Sequence, residues 1–167
     1  MYLPLNELDG SARVWVYNTK EFVSPEVIRV ILERTADFIK KWTAHQNDLY
    51  GGCGFAHFRH LIIAVDETKA AASGCSIDSC VHFLQDLGKE LDIDFFDRLN
   101  YTFVDSTDQP YKISHNDLDE AYQQGDINDQ TLFVDPTVKT LDEFHEQFIK
   151  PLEHSFQYRF ISSVPAS

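Results

Sequence analysis

Cys75 is the residue of this chain whose surroundings best suit chemistry. It lies within LIIAVDETKAAASGCSIDSCVHF, Leu61 to Phe83, where an apolar run passes Asp66 and Glu67, crosses small residues and enters a helical pattern. A thiol beside a helix N-terminus is shifted toward the thiolate, the form that attacks electrophiles. The backbone N–H groups of Ser73 and Ser76 would serve an oxyanion there, and a histidine brought in by the fold would act as the base. His82 is nearby in sequence, but helical geometry turns it to the outer face.

The same segment also reads as a binding site without catalysis. Ala70, Ala71, Ala72, Ser73 and Gly74 let a ligand approach the backbone. The helix start at Ser73, Gly74, Ser76, Asp78 and Ser79 presents unbonded N–H groups and a partial positive charge to a small anion, with Asp66 and Glu67 at the end of the preceding strand. The plainest alternative is a capped helix that needs no ligand. Metal chemistry finds less support. His45, Cys53, His57, His60, Cys75, Cys80 and His82 are ligand types, yet there is no C-x-x-C pair and no H-E-x-x-H. His57 and His60 are expected on opposite faces of a strand, Cys80 in an apolar helical stripe, and Asp92, Asp94 and Asp97 without the glycine of a calcium loop. No metal and no cofactor is expected.

Elements must hold these residues in place. Arg13 to Tyr17 is β-branched and aromatic and reads as a strand; Ser24-Pro25-Glu26 opens a helix carrying Val27, Ile28, Ile31, Leu32, Phe38, Ile39 and Trp42. Phe55 to Phe58 and Leu61 to Val65 form a hairpin turned at Arg59-His60. Ser76 is expected to cap a second helix bearing Ile77, Cys80, Val81, Leu84, Leu87 and Leu91, with Gly88 a slight weakness. Asn100 to Val104 supplies another strand. This order, βαββαβ, predicts an α+β fold of ferredoxin-like type, with helices on one face of an antiparallel sheet. Residues 1–112 form that body. Residues 113–167 form a mostly helical extension packed back on it: a helix from Ser114 stopped at Gly125, a strand Thr131 to Val134, and a helix from Thr140 that runs past Ile149 to Pro151. Phe156, Tyr158, Phe160 and Ile161 are expected to fold back onto the body.

Charge narrows the partners. The 167 residues hold 14 Lys and Arg against 27 Asp and Glu, a formal net charge of -13, which repels nucleic acid and anionic lipid. Residues 86 to 129 concentrate the acid in Asp86, Glu90, Asp92, Asp94, Asp97, Asp105, Asp108, Asp117, Asp119, Glu120, Asp126 and Asp129, against Lys89, Arg98 and Lys112. This is a solvated face or a surface for a basic partner. No apolar run suffices to insert in a membrane, the first residues lack an export pattern, and three cysteines suit free thiols, so a cytoplasmic protein is expected.

At AVDETKAAASGCSIDSCVHF, followed by Asp94-Phe95-Phe96-Asp97-Arg98, the chain resembles a small bacterial family often labelled "ABC transporter ATPase" in genome annotation. The resemblance spans the chain, from Arg13-Val14-Trp15-Val16-Tyr17 to Arg159-Phe160-Ile161, and carries no catalytic residues. The label implies nucleotide binding, with Asp66 and Glu67 on magnesium as in a Walker B strand. The G-x-x-x-x-G-K-[ST] loop that such chemistry requires is missing: Gly88-Lys89 is followed by Glu90, and Gly51-Gly52-Cys53-Gly54 by no lysine. Residues Lys112 to Val134 are fainter in likeness to part of a GYF-type peptide-binding module, without the Gly-Tyr-Phe. The leading expectation is a non-enzymatic binding or adaptor domain taking a small anion or a protein partner. A thiol enzyme using Cys75 and a nucleotide-binding protein are the alternatives.

Overall fold

The central strand of the first sheet explains much of what surrounds it. In the computed structural model, which describes residues 1–162, β5 (His60–Val65) is buried at every position. It pairs antiparallel with β1 (Arg13–Asn18) on one side and β4 (Gly51–Ala56) on the other. Leu61, Ile63 and Val65 face the helices α1 (Pro25–Lys40) and α2 (Gly74–Leu91), sharing a core with Ile31, Ile39, Cys80, Leu84 and Leu87. Ser24 caps α1 as expected, its hydroxyl accepting from Val27 N–H. The opposite face is closed near β4 by a 3-10 turn, Leu5–Glu7. A side chain at Gly52 would strike the Leu3 carbonyl there, with Leu5 and Leu8 packed close by. Glycine is required at that crossing. After α1 the short strands β2 (Thr43–Ala44) and β3 (Asn47–Asp48) form a small hairpin through His45 and Gln46, both at positive φ.

The second sheet corrects the expected topology. The strand β6 (Asn100–Val104) does not join the first sheet as a ferredoxin-like fold requires. It pairs with β7 (Pro110–Ser114) and β8 (Leu132–Val134), and β8 pairs with β9 (Ile149–Pro151), giving the antiparallel order β7-β6-β8-β9. The chain accordingly divides into two units, Met1–Asp97 with Pro136–His145, and Arg98–Asp135 with Glu146–Ser167. The boundary lies at 97/98 instead of 112/113, because β6 finds its hydrogen-bond partners among later strands. The structure is α+β, and no helix among the described residues is long and apolar enough to cross a membrane.

In the second unit Phe103, Leu118, Ile127, Phe133, Leu152 and Ile161 form the core. The helix α3 (Leu118–Gln123) follows a 3-10 turn capped by Ser114 and stops at Gly125, φ +81. In the segment belonging to the first unit, Thr140 caps α4 (Leu141–Gln147) by accepting from Glu143 N–H. Ile149 and Pro151, expected in a helix and its break, belong to β9; proline is tolerated there because the strand is an edge. Of the closing apolar residues, Ile161 is buried beside Tyr158, whereas Phe156 and Phe160 are exposed.

A buried ion pair ties the first unit together. The hairpin turns at His57 and Phe58, both at positive φ, and not at Arg59-His60. Arg59 is thereby turned inward, fully buried, and its guanidinium donates to the Asp97 carboxylate. The Arg59 carbonyl accepts from Thr19 N–H (2.8 Å) and Thr19 Oγ1 (3.3 Å). Asp97 N–H donates to Asn18 O (3.1 Å), and Asn18 Nδ2 to Asp97 O (3.2 Å). The Asn18 Oδ1 lies 2.8 Å from His60 Nδ1.

Removing one partner leaves the other charge buried. Asp97→Ala should lower unfolding free energy by about 3 to 5 kcal/mol, while Arg59→Met/Asp97→Leu together should cost less than Asp97→Ala alone, measured by urea titration. His60 provides a separate pH test. Burial, then the Arg59 charge, then His57, pull its pKa down to about 3. The folded protein therefore refuses a proton that the unfolded chain accepts below about 6.5. Stability from this group is full above about 6.5 and is lost as pH falls toward 3, by up to about 1.4 kcal/mol per unit. The melting temperature of wild type should fall more steeply over that window than that of His60→Gln.

Candidate functional site

The helix α2 begins three residues earlier than the sequence suggests. Ser73, extended at φ -92 and ψ 165, is the N-cap, and its hydroxyl accepts from Ser76 N–H at 3.2 Å. Ser76 Oγ accepts from Ser73 N–H at 2.8 Å, so a serine fills the place usually taken by Glu or Gln in a capping box. Cys75 is thus the second residue of the helix and not the residue before its cap. Ile77 N–H is bonded to Ser73 O. Among the described residues the N–H groups of Gly74 and Cys75 make no hydrogen bond, and both residues are exposed. A Cβ added at Gly74 would meet nothing within 4 Å.

Beside this helix start lies a cleft. It holds about 470 Å³ and is lined by Ser73, Cys75, Ser76 and Ser79 from α2, and by Phe38, Lys41, Trp42, Thr43 and His45 from the end of α1 and the β2–β3 hairpin. Trp42 joins the two walls: its Nε1 donates to Ser76 O (2.8 Å) and Ser79 Oγ (3.2 Å), and Ser79 Oγ donates to the same carbonyl (2.7 Å). Phe38 packs on Trp42 with centroids 5.3 Å apart and stacks on Phe83 at 4.5 Å. The wall is rigid and aromatic. Lys41, at the end of α1, and His45, at positive φ in the hairpin turn, add basic residues to the cleft lining.

The remaining candidates lie outside the cleft. Asp66 is buried at the end of β5, where its Oδ1 accepts from Thr68 N–H (3.0 Å) and Thr68 Oγ1 (2.5 Å). Glu67 Oε1 accepts from Ala72 N–H (3.2 Å) and lies 3.6 Å from Arg13. Both carboxylates brace the loop that delivers Ser73 to the helix start. Asp78 is exposed on α2 and does not line the cleft. Among the described residues no group of three or more His, Cys, Asp or Glu could hold a metal ion.

Lys41, His45, Phe38 and Trp42 are the cleft residues that sequence reasoning did not place there. They stand about thirty or more positions before Ser73, and only the packing of α1 against α2 joins them. Comparison with protein-family models, with curated proteins and with solved structures finds no match to this chain.

The three thiols differ sharply. Cys75 is exposed, whereas burial pushes Cys53 up to about 11 and Cys80 up to about 12. An aromatic disulfide reagent added to the native protein at neutral pH should titrate one thiol rapidly, abolished in Cys75→Ser, with the other two appearing only on denaturation.

Proposed function

We propose that this protein is a non-enzymatic binding domain whose ligand site is the cleft at the start of α2, and that it takes a small anion or an anionic group of a partner. What supports this reading is one arrangement: Ser73, Cys75 and Ser76 at the head of a long helix line the same cleft as Lys41 and His45, and the Cys75 N–H is unbonded among the described residues. A helix N-terminus and a cation acting on one concave surface favour negative charge. The small residue at 74 leaves the approach clear. Catalysis would ask more of Cys75, whose thiol makes no hydrogen bond to a base among the described residues. The nucleotide reading would need Asp66 and Glu67 at the same place, and both are occupied within their loop.

A Cβ at position 74 would meet nothing within 4 Å, so Gly74→Leu should fold normally and set a bulky side chain beside the exposed helix start. In a titration with sodium phosphate followed by amide NMR, the Gly74 and Cys75 resonances should move saturably, and Gly74→Leu should weaken the response by at least about tenfold, or ~1.4 kcal/mol. Resonances that do not move at millimolar phosphate, or a response equal in Gly74→Leu, would remove this reading.

A further inference from the structure

We infer that the groove beside the C-terminal end of α2 is a docking site for a cationic amphipathic segment of another protein, one that inserts a bulky apolar side chain and flanks it with lysine or arginine. The groove is separate from the cleft at the other end of the helix and does not depend on it.

The groove holds about 580 Å³ between Leu84, Gln85, Gly88 and Lys89 on α2 and residues 92–96. Its base is apolar: Leu84, Gly88 and Phe95 are buried. Glycine at 88 lets the returning chain lie close, since a Cβ would strike the Ile93 carbonyl. Phe96 stands at one side, 36% exposed, edge-on to Tyr17 at 5.8 Å. An apolar anchor is the chemistry that such a base accepts.

The charge around it is one-sided. The carbonyl pole of an 18-residue helix is partially negative. Asp92 and Asp94 add two carboxylates against Lys89, which forms an exposed ion pair with Asp86 at 3.3 Å. Asp94 Oδ1 accepts from Phe96 N–H (2.8 Å), while the Asp92 carboxylate makes no hydrogen bond or ion pair among the described residues. Folding also disfavours Asp92 twice: its backbone is left-handed, φ 55 and ψ 47, where glycine is cheaper, and it places an acid at the negative end of a helix. A cation supplied from outside satisfies both carboxylates. Complementary charge then steers the partner and fixes its register, and the apolar anchor supplies affinity.

The test uses the full chain and a short fluorescein-labelled peptide with a central leucine between lysines and arginines. Asp92→Gly removes one carboxylate and suits the left-handed backbone; Asp94→Asn removes the other and keeps the oxygen that accepts from Phe96. The double variant should therefore melt no lower than wild type. Fluorescence anisotropy should show saturable binding that weakens with salt. Affinity should fall on the order of tenfold in the double variant, and at least as far when the leucine of the peptide is replaced by serine. Amide resonances of Leu84, Gly88, Ile93 and Phe96 should move on binding. No saturable binding, equal binding by the double variant, or equal binding of the serine peptide would each overturn the inference.

Discussion

Arg59 is drawn out of water by a hairpin turn, and the carboxylate of Asp97 is what makes that tolerable. Around this pair three distant segments are bound: the chain leaving β1, the turn between β4 and β5, and the chain leaving α2. Thr19 bonds to the Arg59 carbonyl, Val23 N–H to Phe58 O, Lys20 N–H to Asp94 O, and Asp97 N–H to Asn18 O. The first of these segments leads into α1 and the third follows α2. The pair therefore fixes where each helix meets the sheet, at the entry of one and the exit of the other. Desolvating two charges is expensive, and much of that cost is offset by the hydrogen bonds gathered around them. What such a pair contributes is one register for the three segments.

The helix α2 acquires its character from being held in this way. Its apolar face, Cys80, Leu84 and Leu87, is spent on the core with Leu61, Ile63 and Val65. Its two ends remain available, and they carry opposite partial charge. At the head, a capping box built from two serines stands beside a cleft whose far wall is supplied by α1 and the small hairpin. At the tail, an aspartate in the left-handed region borders an apolar groove. The two proposed sites thus lie at opposite ends of one helix, separated by its own length. The Trp42 indole, bonded to Ser76 and Ser79, keeps the first of these surfaces in shape.

Local signals carried far along this chain. Ser24-Pro25-Glu26 opened α1, the continuous apolar run of β5 was buried at each position, and Gly125 ended α3. Signals failed where two local preferences competed. Both Ser73 and Ser76 are good caps, and the choice fell on Ser73 because Ser76 could then return a bond to it. The hairpin turned at His57 and Phe58, which have no preference for positive φ, because Arg59 is held inward by Asp97 and Ala56 pairs with His60. Ile149 read as helical from its spacing to Phe148 and Phe144, yet pairing with Val134 made it a strand.

The sequence by itself determined the class of elements and the segment where a site was to be sought. Hydrophobic period, caps and turn residues act over a few neighbours, and those were legible for α1, α2, β1, β5 and β6. That a helix starts after the apolar strand was legible for the same reason, though not which serine caps it. Only the tertiary structure decided that β6 belongs to a second sheet, since strand partners are chosen by hydrogen bonds between residues far apart in sequence. It alone placed Lys41 and His45 opposite Cys75 and turned Asp66 and Glu67 into loop braces. Those outcomes depend on which surfaces are buried against each other, and that information is spread over the whole chain, beyond the reach of any local window.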